Sequence, residues 1–305
     1  MSPPDWLWIP ITVWAALAQT MRNAAQRHLT AGLGTLGATL VRFLYGLPFA
    51  VAWLAIVHVA DEVAIPAPNT RFVFWVVASG VSQIVATALL LRVMAERNFA
   101  LGVAYSKTEI IQVAAFGFVF LGDPVTAAAA LAILCGTLGV LLLSPADRQR
   151  PIRTLLTGWT ARPALLGLAS GASFAFAAVG YRGAALALDG ATFLMAAAYT
   201  LAVAQLFQTA ALGGWLALRD AAVVWRVLRA WRASLFAGFM GAAASAGWFT
   251  AMAIEPVAHV RTLGLVELLF SAIVSRRFFR ERMTWAEIAG LILLAAGLVI
   301  VTLRG

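Results

Sequence analysis

Apolar residues run through this chain in blocks of about twenty, divided by short polar, proline-bearing or glycine-bearing breaks. A bilayer core roughly 30 Å thick takes about 20 residues of helix. On that ruler the pattern predicts ten spans, at about 6–27, 33–57, 71–93, 99–121, 125–144, 163–186, 190–216, 233–254, 257–279 and 284–303. The breaks hold residues that end helices: Gly32-Leu33-Gly34, Pro66-Ala67-Pro68, Gly122-Asp123-Pro124 and Glu255-Pro256. The first block has no basic leader and no A-x-A cleavage pattern after it, so it reads as a retained membrane helix.

The longest polar stretch, Ser144 to Pro163, parts the spans into five and five. A shift of 158 positions lays Gly80–Ser144 over Gly238–Thr302 without a gap. Gly80/Gly238, Met94/Met252, Glu109/Glu267, Phe120/Phe278, Thr126/Thr284 and Gly139/Gly297 are then identical pairs. Matches of Ala or Gly are cheap in such a composition, whereas a repeated carboxylate inside an apolar block is not. Each Glu also precedes a loop acid by fourteen residues, Asp123 in the first copy and Glu281 in the second. An odd number of spans per copy makes the second enter from the opposite side. The expected fold is therefore all-α and integral to the membrane: ten transmembrane helices as two inverted five-helix repeats, residues 1–144 and 163–305, joined by a polar link at 145–162.

Composition agrees with lipid as the solvent. Of 305 residues 62% are hydrophobic and only 11% charged, and the mean hydropathy is +0.90. The net charge of +9 is not pooled in one basic surface, which excludes a nucleic-acid partner; it lies in short runs between apolar blocks. Sixteen arginines fall in the loops after the first, third, fifth, seventh and ninth spans, against Arg71, Arg182 and Arg304 on the other side. By the positive-inside rule the Arg-rich side is cytoplasmic and both termini are outside. Cys135 is the single cysteine and the three histidines are scattered, so no disulfide, metal site or cofactor is expected.

Charges at bilayer depth are costly and mark functional sites by default. The fourth span carries Lys107, the only lysine, with Glu109, Tyr105, Thr108 and Gln112. At about 100° per residue Tyr105, Thr108, Glu109 and Gln112 share one helix face, and Lys107 points to a different neighbour. The ninth span carries Gly264, Glu267, Ser271 and Ser275 as a small and polar stripe. The bland alternative makes both glutamates hydrogen-bonding pegs between helices and Lys107 the partner of a carboxylate on a neighbouring helix. Arg42 is either a clamp for a substrate carboxylate or a side chain snorkelling to the interface, with snorkelling favoured. Snorkelling is also expected for Arg22 and Arg261. No nucleophile elbow, Asp-rich diphosphate motif or phosphate loop stands in the sequence, so an enzyme is not expected.

The pattern Glu-x13-acid followed by a Thr that opens the next span occurs as EIIQVAAFGFVFLGDPVT (109–126) and ELLFSAIVSRRFFRERMT (267–284), with GVLLL (139–143) and GLVIV (297–301) closing the next helices. This resembles the ten-helix EamA-type transporters of the drug/metabolite transporter superfamily. The resemblance implies a central cavity between the halves, a substrate drawn from amino acids, sugars, nucleotide-linked metabolites or drugs, and both termini in the cytoplasm, opposite to the arginine count. A Pro commonly follows the motif Glu in that family; Ile110 and Leu268 stand here, which removes the usual reason for an unwound helix at that point.

The expectation is an inner-membrane carrier, an exporter or exchanger of a small polar metabolite such as an amino acid, working by alternating access. Its site is drawn from Lys107, Glu109, Tyr105, Gln112, Glu267 and Ser271, with Arg42 a weaker member. A lysine beside carboxylates suits a zwitterionic or acidic metabolite, and the proton is the expected coupling ion. The expected partners are lipid, a small molecule and protons; the sequence leaves the oligomeric state open, a monomer being compatible with this plan. The competing expectation is a sensor or assembly partner built on the same scaffold without transport.

Overall fold

Gly34, at φ 70° and ψ 172°, is where the first two rods of the chain meet. Only glycine occupies that region of backbone space without strain. Helix α1 (Trp8–Leu44) is therefore two rods, 8–33 and 35–44, set at an angle. The second rod runs on through Tyr45 and Gly46, both with right-handed helical dihedrals, into α2 (Leu47–Asp61). Pro48 has no N–H to return to the preceding turn, so the ladder lapses there and resumes at Ala50 N–H to Gly46 O, 3.0 Å.

The structure is a computed structural model, and it describes residues 4, 6–96, 99–107, 109, 112, 131, 162–281, 284–285, 288–293 and 295–296. After α2 come α3 (Thr70–Glu96), α4 (Phe99–Ser106), α5 (Arg162–Leu186), α6 (Phe193–Arg219), α7 (Ala221–Arg229), α8 (Trp231–Ile254), α9 (Val257–Leu263) and α10 (Val266–Arg277). The spans expected at 125–144 and 284–303 and the link at 145–162 lie wholly or largely outside the described residues. Among those residues every regular element is helical. Five runs are long and apolar enough to cross a membrane: Trp8–Ala60, Thr70–Glu96, Arg162–Leu186, Phe193–Arg219 and Trp231–Ile254. The first of these contains the bend at Gly34. The protein is a multi-pass membrane protein.

The helix ends respect the 158-residue offset. Residues 35–61 map onto Phe193–Arg219, the end of α3 at Glu96 onto the end of α8 at Ile254, and the start of α4 at Phe99 onto the start of α9 at Val257. The two most extensive helix pairings are α1 with α8 and α3 with α5, followed by α2 with α6. Under the offset the first rod of α1 corresponds to α5 and α8 to α3, so the first two pairings are each other's counterparts. Small residues make such approaches possible where lipid supplies no hydrophobic drive between helices. A methyl on Gly180 of α5 would fall 2.0 Å from Ser79 Oγ of α3, one on Gly247 of α8 2.8 Å from Ala15 Cβ of α1, and one on Gly238 2.4 Å from the Tyr45 backbone.

One element departs from the expected loop between the seventh and eighth spans. Helix α7 starts at Asp220, whose carboxylate accepts from Val223 N–H at 3.3 Å. It buries Val223 and Val227, four residues apart, against Gly37 of α1, and leaves Trp225, Arg226, Leu228 and Arg229 exposed. Nine residues are too few for a span, and the arginines make the stretch look like a plain loop; the valine spacing marks a helix lying along the bundle end, in the manner of interfacial helices.

Candidate functional site

Helix α4 stops at Ser106, whose hydroxyl turns back to Val103 O at 2.7 Å. Lys107 then leaves the helical path, its N–H shared between Val103 O and Ala104 O, both at 3.1 Å. The second half has a matching break. Helix α9 ends at Leu263, Gly264 and Leu265 form a turn, and α10 begins at Val266. At the 158-residue offset Ser106–Lys107 lies over Gly264–Leu265, so each break comes two residues before its glutamate. The missing Pro at Ile110 and Leu268 thus does not keep the helices whole. Gly264 fulfils that need in the second half: a side chain there would strike the Trp248 ring, 2.4 Å from Cη2. Glu267 sits in the first turn of α10, where unpaired N–H groups and the helix dipole favour a carboxylate.

The breaks bring Lys107 and both glutamates together. Lys107 Nζ lies 2.5 Å from Glu267 Oε2 and 3.8 Å from Glu109 Oε1. Helical geometry alone sets Lys107 and Glu109 on different faces; they converge because the helix has ended at Ser106. Glu267 also accepts from Gln19 Nε2 at 2.7 Å and Asn23 Nδ2 at 3.1 Å, both on the first rod of α1. Glu109 accepts from Arg261 Nη1 at 3.2 Å. Trp248 of α8 donates its ring N–H to Gln19 Oε1 at 2.9 Å. Its face carries Arg261 at 4.7 Å and Lys107 at 5.8 Å from a ring centre, within cation–π range.

Three arginines surround this core, contrary to the snorkelling expected for them. Arg22, Arg42 and Arg261 are 1%, 3% and 8% exposed, beside 2% for Lys107, 3% for Glu109 and 1% for Glu267. Arg22 spends Nε and Nη2 on Asn23 Oδ1, at 3.2 and 2.7 Å. Arg42 donates Nη1 to Thr87 Oγ1 of α3 at 2.8 Å. Both side chains pass over Gly241 of α8, which leaves them room. A snorkelling arginine needs a free path to the interface, and here α8 covers α1 along most of its length.

Beside the cluster lies a cavity of about 10 Å³, lined by Gln19, Arg42, Gln83, Tyr181, Trp248 and Arg261 among others. That is room for about one water molecule. Tyr181 and Phe249 stand at its edge, ring centres 4.7 Å apart. The same two rings border a larger cavity of about 250 Å³ towards the Arg182 end of α5, with Leu188, Phe193 and Met252 in its wall. Tyr181 OH donates to Gln83 Oε1 at 3.1 Å, and Gln208 Nε2 reaches the same oxygen at 2.8 Å. At the opposite end Glu281 ties three elements: it takes Arg27 Nη2 at 2.5 Å, Ser275 Oγ at 2.5 Å and the Phe99 N–H that opens α4 at 3.0 Å. Arg27 stacks on Phe279 at 4.3 Å from its ring centre.

Of the residues singled out in the sequence, Lys107, Glu109, Glu267 and Arg42 fall in or against this cluster. Ser271 lies one turn beyond Glu267, fully buried, its hydroxyl without a hydrogen-bond partner among the described residues. Gln112 donates to Leu168 O of α5 at 3.2 Å. The Tyr105 side chain and Thr108 lie outside the described residues. Sequence reasoning missed Gln19 and Asn23. With Arg22 and Gln26 they form a polar stripe spaced by three and four along the first span, a signal present in the sequence.

Membrane-length helices around a buried, charge-lined centre define a multi-pass membrane protein with an interior polar site. Residues 161–303 match the model of the EamA-like transporter family, part of the drug/metabolite transporter superfamily. The second half of the chain is thus similar to that family. No curated protein matches the chain. A solved crystal structure aligns over 97% of this chain and 96% of its own, with a TM-score of 0.62 at 17% identity; the likeness is one of fold.

Proposed function

We propose that the protein is a secondary transporter that carries a small polar metabolite, such as an amino acid, across a cell's inner membrane by alternating access. The observation that carries this reading is the buried cluster joining Lys107 and Glu109 of the first half to Glu267 and Arg261 of the second. The halves, 1–144 and 163–305, are the bodies that rock about it, in the manner of repeat-built carriers. The two ends of the path differ, which suits the plan: Glu281 binds three elements together at one end, and a 250 Å³ cavity stands before Tyr181 and Phe249 at the other. Substrate polar groups compete with Lys107 for the glutamates, and Ser271 and Arg42 add contacts. The proton is the coupling ion in this reading, carried by Glu109 or Glu267. The test is uptake and counterflow in proteoliposomes with Glu109→Gln and Glu267→Gln. Transport that persists at the parental rate and with the parental pH dependence in both variants would refute it.

A further inference from the structure

Six side chains that carry charge at neutral pH are buried at the centre among the described residues: Arg22, Arg42, Lys107 and Arg261 against Glu109 and Glu267. The formal excess is two positive charges. The carboxylates are already engaged, Glu267 by Lys107, Gln19 and Asn23, and Glu109 by Arg261 and Lys107. Among the described residues neither Arg22 nor Arg42 has a carboxylate within 4.0 Å; Arg22 donates to an amide oxygen, and Arg42 donates to a hydroxyl and lies over the Phe43 ring at 5.3 Å, so neither meets an anion. An uncompensated cation buried in a low dielectric is strongly unfavourable. Three guanidinium nitrogens, Arg22 Nη1, Arg42 Nε and Arg261 Nε, also lack a hydrogen-bond partner among the described residues, and Arg42 and Arg261 face the central cavity.

We propose that this cavity is a binding site for a small organic anion bearing two negative charges, gripped between Arg42 and Arg261 and balanced by Arg22. A guanidinium matches a carboxylate or phosphate edge with two parallel donors, and a dianion cancels the excess of two where a single halide leaves half of it. Space for one water means that the anion enters only when Tyr181 and Phe249 part, joining the central space to the 250 Å³ cavity behind them. A wall holding Trp248, Tyr181 and Phe249 supplies flat apolar faces for a short carbon skeleton. Glu109 and Glu267 repel the anion less than their charges imply, because each is already paired with a cation. The transporter reading is needed only for the path that the anion takes; the site stands or falls by binding.

The full chain, purified in detergent in low-chloride buffer, is titrated calorimetrically with succinate, glycerol 3-phosphate, alanine and arginine. Binding of either dianion, with alanine and arginine inert, is the expected result, and the dianion that binds tells a dicarboxylate site from a phosphate site. Arg42→Gln weakens that binding at least about tenfold, the loss of a charge-assisted hydrogen bond, while Arg42→Lys retains part of it. Arg42→Gln without ligand unfolds at a higher temperature than the parent, because one uncompensated charge is gone; an arginine kept only for packing gives the opposite sign. Should Arg42→Gln fail to fold, Arg22→Gln is titrated in its place, with the same weakening expected from its share of the excess charge. The proposal is overturned if neither dianion binds, if alanine or arginine binds as well, or if the folded variant binds the dianion as the parent does. Dianion binding without flux in proteoliposomes would retire the transporter reading and keep the site; alanine flux indifferent to succinate would do the reverse.

Discussion

Replacing Lys107 by Met removes the cation that bridges two buried carboxylates and keeps a chain of similar length. The ammonium is 2% exposed and lies 2.5 Å from Glu267 and 3.8 Å from Glu109. At an effective dielectric of about 20, opposite charges 4 Å apart attract by about 4 kcal/mol. Glu109 keeps Arg261 after the substitution, whereas Glu267 keeps only the two neutral amides of Gln19 and Asn23. Stranding one partner of a buried pair costs about 3–5 kcal/mol, and Lys107→Met is expected to fall in that range, almost all of it through Glu267. Lys107→Met with Glu267→Gln should regain most of the loss, since a Gln there still meets the two amides and leaves no charge behind. The assay is unfolding of the parent, both single variants and the double variant in mixed micelles, followed by circular dichroism. A coupling energy of about 2 kcal/mol or more is expected. Costs of the single variants that simply add, within about 0.5 kcal/mol, would refute the pairing.

Three further outcomes follow from local geometry. Gly180→Ala puts a methyl 2.0 Å from Ser79 Oγ and 3.2 Å from the Trp75 ring; it should cost about 1–3 kcal/mol by overpacking, measured by the same unfolding assay, and Ser79→Ala in the same chain should restore part of it. Gly34→Ala, at φ 70° and ψ 172°, should cost about 1–3 kcal/mol, whereas Gly32→Ala, in open space on the same helix, should gain about 0.5–1 kcal/mol; equal effects at the two positions would argue against the bend at Gly34. Glu281→Gln should loosen the end closed by Arg27, Phe99 and Ser275. In a Cys135→Ala background, maleimide labelling of Ser275→Cys should then quicken, and an unchanged rate would show that Glu281 does not hold that end shut.

The membrane class was legible because lipid demands long apolar helices, and that demand is written residue by residue. Among the described residues breaks fell where glycine and proline forecast them, Gly34 most clearly, while the one forecast at Gly122-Asp123-Pro124 lies outside them; the offset of 158 that pairs Glu109 with Glu267 also aligns the helix limits at 96 and 254 and at 99 and 257. What failed was inference from helical angle and from distance to a span end. Lys107 looked turned away from Glu109, because the period of a helix says nothing once the helix has stopped at Ser106. Arg22, Arg42 and Arg261 looked free to snorkel, because a span read alone has no neighbours to block the way.

The sequence by itself thus determined an all-α membrane chain, and it offered the 158-residue offset and the two glutamates of the apolar blocks as expectations, since each follows from the solvent or from identity at a fixed spacing. Only tertiary structure decided who meets whom. It took α8 crossing α1, with Gly241 leaving space, to bury Arg22 and Arg42 together, and two helix breaks to carry Lys107 to Glu267. Coulomb energy depends on distance and on the dielectric between groups, and neither is fixed until helices far apart in the chain have packed.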